Sequence, residues 1–73
     1  MSRLNPISHQ NFIRKLRQFG FEGPHAGGKH LYMLKGGVRL TIPNIHKQKI
    51  GVNLLMLLLK QAGVARDEWM ENE

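Results

Sequence analysis

His30-Leu31-Tyr32-Met33-Leu34-Lys35-Gly36-Gly37-Val38-Arg39-Leu40-Thr41-Ile42 decides how this chain folds. Two runs rich in strand-forming residues flank a glycine pair, the spacing of a two-residue β-hairpin. In the second run, alternation puts Val38, Leu40 and Ile42 on a buried face and turns Arg39 and Thr41 outward. Pro43 then stops the strand.

Upstream, Phe21 to His25 reads as a short strand interrupted by Gly23 and Pro24, which confines it to a sheet edge. Before it, Pro6 and Ser8 introduce a helix with Ser8 as N-cap, and Phe12, Ile13, Leu16 and Phe19 recur on one face. Gly20 ends that helix. Arg14, Lys15, Arg17 and Gln18 fall opposite the apolar stripe, as a solvated face or as part of a phosphate-contacting patch. Downstream, residues 44–50 form a basic connection carrying His46, Lys47 and Lys49.

A second helix is predicted from Val52 or Asn53 to Ala62, with Asn53 as a candidate N-cap and Gly63 as the stop. Leu55, Leu58, Leu59 and Ala62 share one arc, while Met56 and Leu57 point away. That outward pair is either hidden beneath the terminal turn or an apolar contact surface for another chain. Arg66 to Met70 reads as one more helical turn anchored by Trp69. The order is α-β-β-β-α, an α+β architecture with a three-stranded antiparallel sheet covered on one face by two helices.

The chain has 73 residues and no cysteine, which reads as one small domain, residues 1–73, without disulfides, thiolate chemistry or thiolate zinc sites. No secretory signal or membrane-spanning run is legible, so a cytoplasmic protein is expected. All 11 Lys and Arg lie within residues 1–66 against a single acid there, Glu22, whereas Asp67, Glu68, Glu71 and Glu73 close the chain. Such a body attracts polyanions, and nucleic acid is the commonest one. A membrane surface fits less well, because the cations form neither one polybasic tract nor one basic amphipathic helix. Solubility alone would not require acids to be so scarce.

At the entrance to the first hairpin strand stands Gly27-Gly28-Lys29-His30. Imidazole, with an ordinary pKa of about 6.5, both accepts and donates a proton near neutral pH, as the two steps of phosphodiester cleavage require. The lysine brings charge for a phosphate, and the glycines permit close approach of a polymer. By itself the motif is weak and reads first as a glycine-rich turn ending in a solvent-exposed histidine.

Taken together, several pieces resemble the HicA (YcfA-like) family of bacterial toxin–antitoxin ribonucleases. They are Phe12-Ile13-Arg14-Lys15-Leu16 with Phe19-Gly20-Phe21, Gly27-Gly28-Lys29-His30-Leu31, Leu40-Thr41-Ile42-Pro43 with His46, and Leu58-Leu59-Lys60-Gln61-Ala62-Gly63-Val64 followed by Asp67-Glu68-Trp69. The resemblance implies a fold like the double-stranded-RNA-binding domain, cleavage of mRNA without metal or other cofactor, an essential histidine at His30, and neutralisation by a HicB-type antitoxin. Many members place the histidine directly after Gly-Ser, and relatives often carry Gly-Thr and a basic residue where this chain has Leu54-Leu55-Met56-Leu57.

RNA carries its own nucleophile in the 2′-OH, so His30 is the expected proton-transfer residue. Lys29, Arg39, Lys47 and Lys49 are the expected phosphate contacts. His46 is either a second acid or base or an ordinary loop histidine, and Tyr32 either stacks a base or packs on the sheet. His9 and His25 read as structural or exposed. A zinc site from His25 and His30 lacks further ligands. Two rivals stand beside the ribonuclease: a non-catalytic RNA-binding module of the same fold, and a DNA-binding regulator, which needs a helix free for the major groove.

Overall fold

The computed structural model describes residues 4–43 and 49–71. The elements run β1 (Ile7–Ser8), α1 (His9–Gln18), β2 (Glu22–Gly27), β3 (His30–Lys35), β4 (Val38–Ile42), β5 (Lys49–Ile50), α2 (Val52–Ala62) and α3 (Arg66–Glu71). The hairpin strands keep their expected bounds. β2, β3 and β4 form one antiparallel sheet in that order, with Met33 opposite Leu40 and Leu31 opposite Ile42.

Those pairs face the helices. Met33, Leu40 and Ile42 are buried together with Phe12 and Leu16 of α1, Leu55, Leu58, Leu59 and Ala62 of α2, and Trp69 of α3. Phe12 and Phe19 both lie against the Trp69 indole, with ring centroids 5.6 and 5.5 Å away. The terminal turn therefore closes the core. An aromatic cluster of this kind adds about 0.5–1.5 kcal/mol per pair beyond its buried area, a large share in so small a domain.

The helix ends follow local chemistry. Ser8 caps α1 through its hydroxyl, which accepts from the Asn11 amide at 3.1 Å. Gly63 takes the left-handed conformation that ends α2, and its N–H returns to the Lys60 carbonyl. At the start of α2 the expectation of an Asn53 cap is corrected. Gly51 holds the N-cap position with no side-chain bond, and Asn53 lies inside the helix.

Two features were not anticipated. Ile7 and Ser8 pair with Ile50 and Lys49 in a separate two-stranded sheet, which ties the chain before α1 to the chain before α2. Two residues are too short for an alternating pattern to show. Lys15 departs from the solvated or phosphate-contacting face assigned to it: it is only 8% exposed, and its ammonium donates to the Trp69 carbonyl at 2.6 Å. On a helical wheel Lys15 stands about 40° from Phe19, at the margin of the apolar arc, so α3 covers it when it packs there.

Candidate RNA-binding and active site

The site grows from the helix-free face of the three-stranded sheet. Because side chains alternate, burial of Leu31 and Met33 toward the helices sends His30, Tyr32 and Leu34 of β3 to the opposite side. The register adds His25 and Gly27 from β2, opposite Tyr32 and His30, and Arg39 and Thr41 from β4, opposite Leu34 and Tyr32. His30, Arg39 and Thr41 are exposed.

β2 runs two residues further than its sequence suggests, so Gly27 pairs with His30 and only Gly28 and Lys29 form the turn. Gly28 has φ +77° while Lys29 stays at negative φ, the pattern of a type II′ hairpin turn, in which glycine takes the first central position. His30 consequently follows immediately on the turn, with Lys29 beside it in sequence. Both are exposed.

Tyr32 lies at the centre of this face. Its ring stands 5.3 Å from the His25 ring at 37°, and the Arg39 guanidinium carbon sits 3.9 Å over its centroid. Arg39 faces Leu34 across the ladder, so it reaches diagonally to cover the tyrosine. Of the two alternatives for Tyr32, the geometry is that of a ring packed on the sheet, with its outer face covered by the Arg39 guanidinium and not open to a base. His25 is half-buried, with Nε2 shielded from solvent and without a hydrogen-bond partner. It sits beneath the surface rather than on it.

The cations on α1 divide: Lys15 is buried, whereas Arg14 and Arg17 are exposed and make bonds at the surface. Arg17 Nε donates to the Gly23 carbonyl at 2.8 Å, bracing the irregular start of β2, and Arg14 donates to Asn11 Oδ1 at 2.6 Å. Of these cations only Lys15, engaged on Trp69, is withdrawn from solvent. The single acid of the body, Glu22, sits opposite Leu34, at the far end of β2 from His30.

The remaining expected site residues divide. Lys49 is exposed but belongs to the small sheet, opposite Ser8, and not to the face that carries His30. His46 and Lys47 lie outside the described residues. Among the described residues no group of three or more His, Asp or Glu side chains is placed to hold a metal ion, and no helix is long and apolar enough to cross a membrane.

A second surface lies on α2. Met56 and Leu57 are 48% and 51% exposed, so the terminal turn does not cover them. Next to them Leu4, Met56, Leu59, Lys60, Val64 and Arg66 line a shallow groove of about 350 Å³.

A helix, a three-stranded antiparallel sheet and two further helices, with a basic and histidine-bearing outer face, define a small α+β domain of the double-stranded-RNA-binding type. Residues 10–64 match the family model described as the HicA toxin of bacterial toxin–antitoxin systems. The chain belongs to the HicA toxin family. No curated protein and no solved structure gives a significant match to it.

Proposed function

We propose that this HicA toxin is a metal-independent endoribonuclease that cleaves mRNA with His30 as its proton-transfer residue. The observation that carries the reading is the position of His30: exposed, immediately after a tight turn, on a face shared with Arg39 and adjoining Lys29. A core histidine would be enclosed, whereas this one is open to a polymer laid across the sheet.

In the proposed reaction the imidazole removes the proton from a ribose 2′-OH, whose oxygen attacks the adjacent phosphorus. Lys29 and Arg39 offset charge on the phosphorane, and departure of the 5′-oxygen requires a proton that His30 or a second group returns. The products are a 2′,3′-cyclic phosphate and a 5′-hydroxyl. Tyr32 serves this scheme by carrying Arg39, and Lys47 and Lys49 extend the attraction for RNA beyond the cut.

A HicB-type antitoxin is the proposed protein partner. Acidic groups suit the cations around His30, while Met56, Leu57 and the adjoining groove offer contacts that salt does not screen. Self-association through the same pair is the competing use of that surface.

The test is cleavage of a long mRNA by His30→Ala in a variant shown to be folded. Loss of cleavage with retained RNA binding supports the reading. Undiminished cleavage overturns it, and absence of cleavage by the wild type as well leaves the non-catalytic RNA-binding module. A 2′-deoxy sugar at the cut site must block the reaction, and inhibition by EDTA would replace this scheme with a metal-assisted one.

A further inference from the structure

Gly27 stands out because its missing side chain is occupied by another residue. A Cβ built there would lie 2.6 and 2.7 Å from Cδ1 and Cε1 of Tyr32 and 3.0 Å from Nη2 of Arg39. Carbon atoms in contact normally stand about 3.5–4.0 Å apart, so ring and methyl group cannot share the space. The backbone itself does not demand glycine, because Gly27, unlike Gly28, does not have a left-handed φ.

We infer that Gly27 is a positioning residue: it lets the Tyr32 ring lie down against β2 and thereby holds the Arg39 guanidinium over the ring, on the face that bears His30. This rests on the proposed RNA-cleaving role of that face and deepens it. The order of layers makes the argument. Glycine leaves a hollow in β2, the edge of the tyrosine ring enters it with His25 on its flank, and the arginine stacks on the ring with its Nη2 also reaching the hollow.

A planar guanidinium seated on an aromatic face keeps its N–H edges available for two phosphate oxygens while losing little rotamer freedom on binding. Filling the hollow lifts the ring and releases that arginine. A misplacement of about 1 Å in a group that stabilises the transition state costs up to about a hundredfold. Gly27 also pairs directly with His30 across the ladder, which puts the hollow opposite the histidine.

The experiment compares wild type, Gly27→Ala, Tyr32→Ala and the double variant, with Gly37→Ala as control, since a Cβ at Gly37 meets nothing within 4 Å. The first readout is the NMR shift of the Arg39 side-chain protons, which the Tyr32 ring current moves upfield when they stack upon it. Gly27→Ala is expected to return them toward ordinary arginine values, and Gly37→Ala to leave them in place. The second readout is mRNA cleavage: kcat/KM should fall about ten- to a hundredfold in Gly27→Ala, and the alanine should add nothing further once Tyr32 is absent.

Unchanged Arg39 shifts in Gly27→Ala overturn the inference, as does an equal loss from Gly27→Ala with and without the ring. If Gly27→Ala alone fails to fold, the double variant must fold, because removing the ring clears the space; failure there overturns the inference too. The shifts report on the stack even in a protein that cleaves nothing, so the positioning role and the ribonuclease reading fail separately.

Discussion

The ammonium of Lys15 donates to the carbonyl of Trp69 at 2.6 Å and lies 4.4 Å from the centre of the same residue's indole ring. One lysine thus fastens α3 to α1 across 54 positions of sequence. The charge sits at the edge of the core rather than on the exposed surface.

Replacing it by a side chain of similar length isolates that role. Lys15→Met keeps the apolar stem but leaves the Trp69 carbonyl without its charged donor, a loss of about 1.5–3 kcal/mol for a hydrogen bond to a charged group. In a domain of this size that corresponds to a fall in Tm of roughly 4–8 °C per kcal/mol. Calorimetry measures it, while the salt dependence of RNA binding by the folded variant stays that of the wild type. A stable Lys15→Met with a flatter salt slope would return the residue to the phosphate-binding surface.

The exposure of Met56 and Leu57 gives a prediction of opposite kind. Met56→Asp with Leu57→Asp places charges where water already reaches, so the monomer should melt within about 1 kcal/mol of wild type, as for ordinary surface changes. Binding of the HicB-type antitoxin should weaken at least tenfold in a titration at high salt. A large drop in melting temperature would show that the pair is buried, and a loss of dimer without loss of antitoxin binding would assign the surface to a second toxin copy.

Lys49 tests the reach of the RNA footprint. It is exposed on β5, in the two-stranded sheet and not in the one that carries His30, so a phosphate contact by Lys49 would extend the proposed footprint beyond the three-stranded sheet. Lys49→Ala, and Lys47→Ala likewise, should each reduce the slope of log affinity against log salt by about 0.7 for one lost phosphate contact on a single strand. The rate at saturating RNA should not change. If both variants keep the wild-type slope, the footprint ends at the three-stranded sheet.

Ser8 offers a check on the fold itself. Its hydroxyl caps α1 and its backbone pairs with Lys49, so Ser8→Ala removes the cap while leaving the pairing. A loss of about 1 kcal/mol in chemical denaturation is expected, as for other N-caps. No change would mean that tertiary packing alone defines where α1 begins.

The residues written along the chain were sufficient for the hairpin, for both long helices and for the exposed histidine. Alternation in Val38 to Ile42 and the helical recurrence of Phe12, Leu16, Leu55, Leu58, Leu59 and Ala62 state which faces are apolar, and an apolar face has to be covered. Parity then carries His30 and Arg39 to the uncovered side once Leu31 and Met33 are placed inside. Local periodicity does not state which partner arrives. The burial of Lys15 depends on α3 returning to α1, the pairing of Ile7 with Ile50 joins strands too short to show a period, and Asn53 yields the N-cap to Gly51 because the turn entering α2 comes two residues earlier. The Tyr32–Arg39 stack is of the same kind. Arg39 reads from sequence as an outward residue and Tyr32 as a base-stacking or sheet-packing one, but the hollow at Gly27 that seats the ring exists only when β2 is in register with β3, since a missing Cβ has consequences only for the atoms that tertiary structure brings beside it.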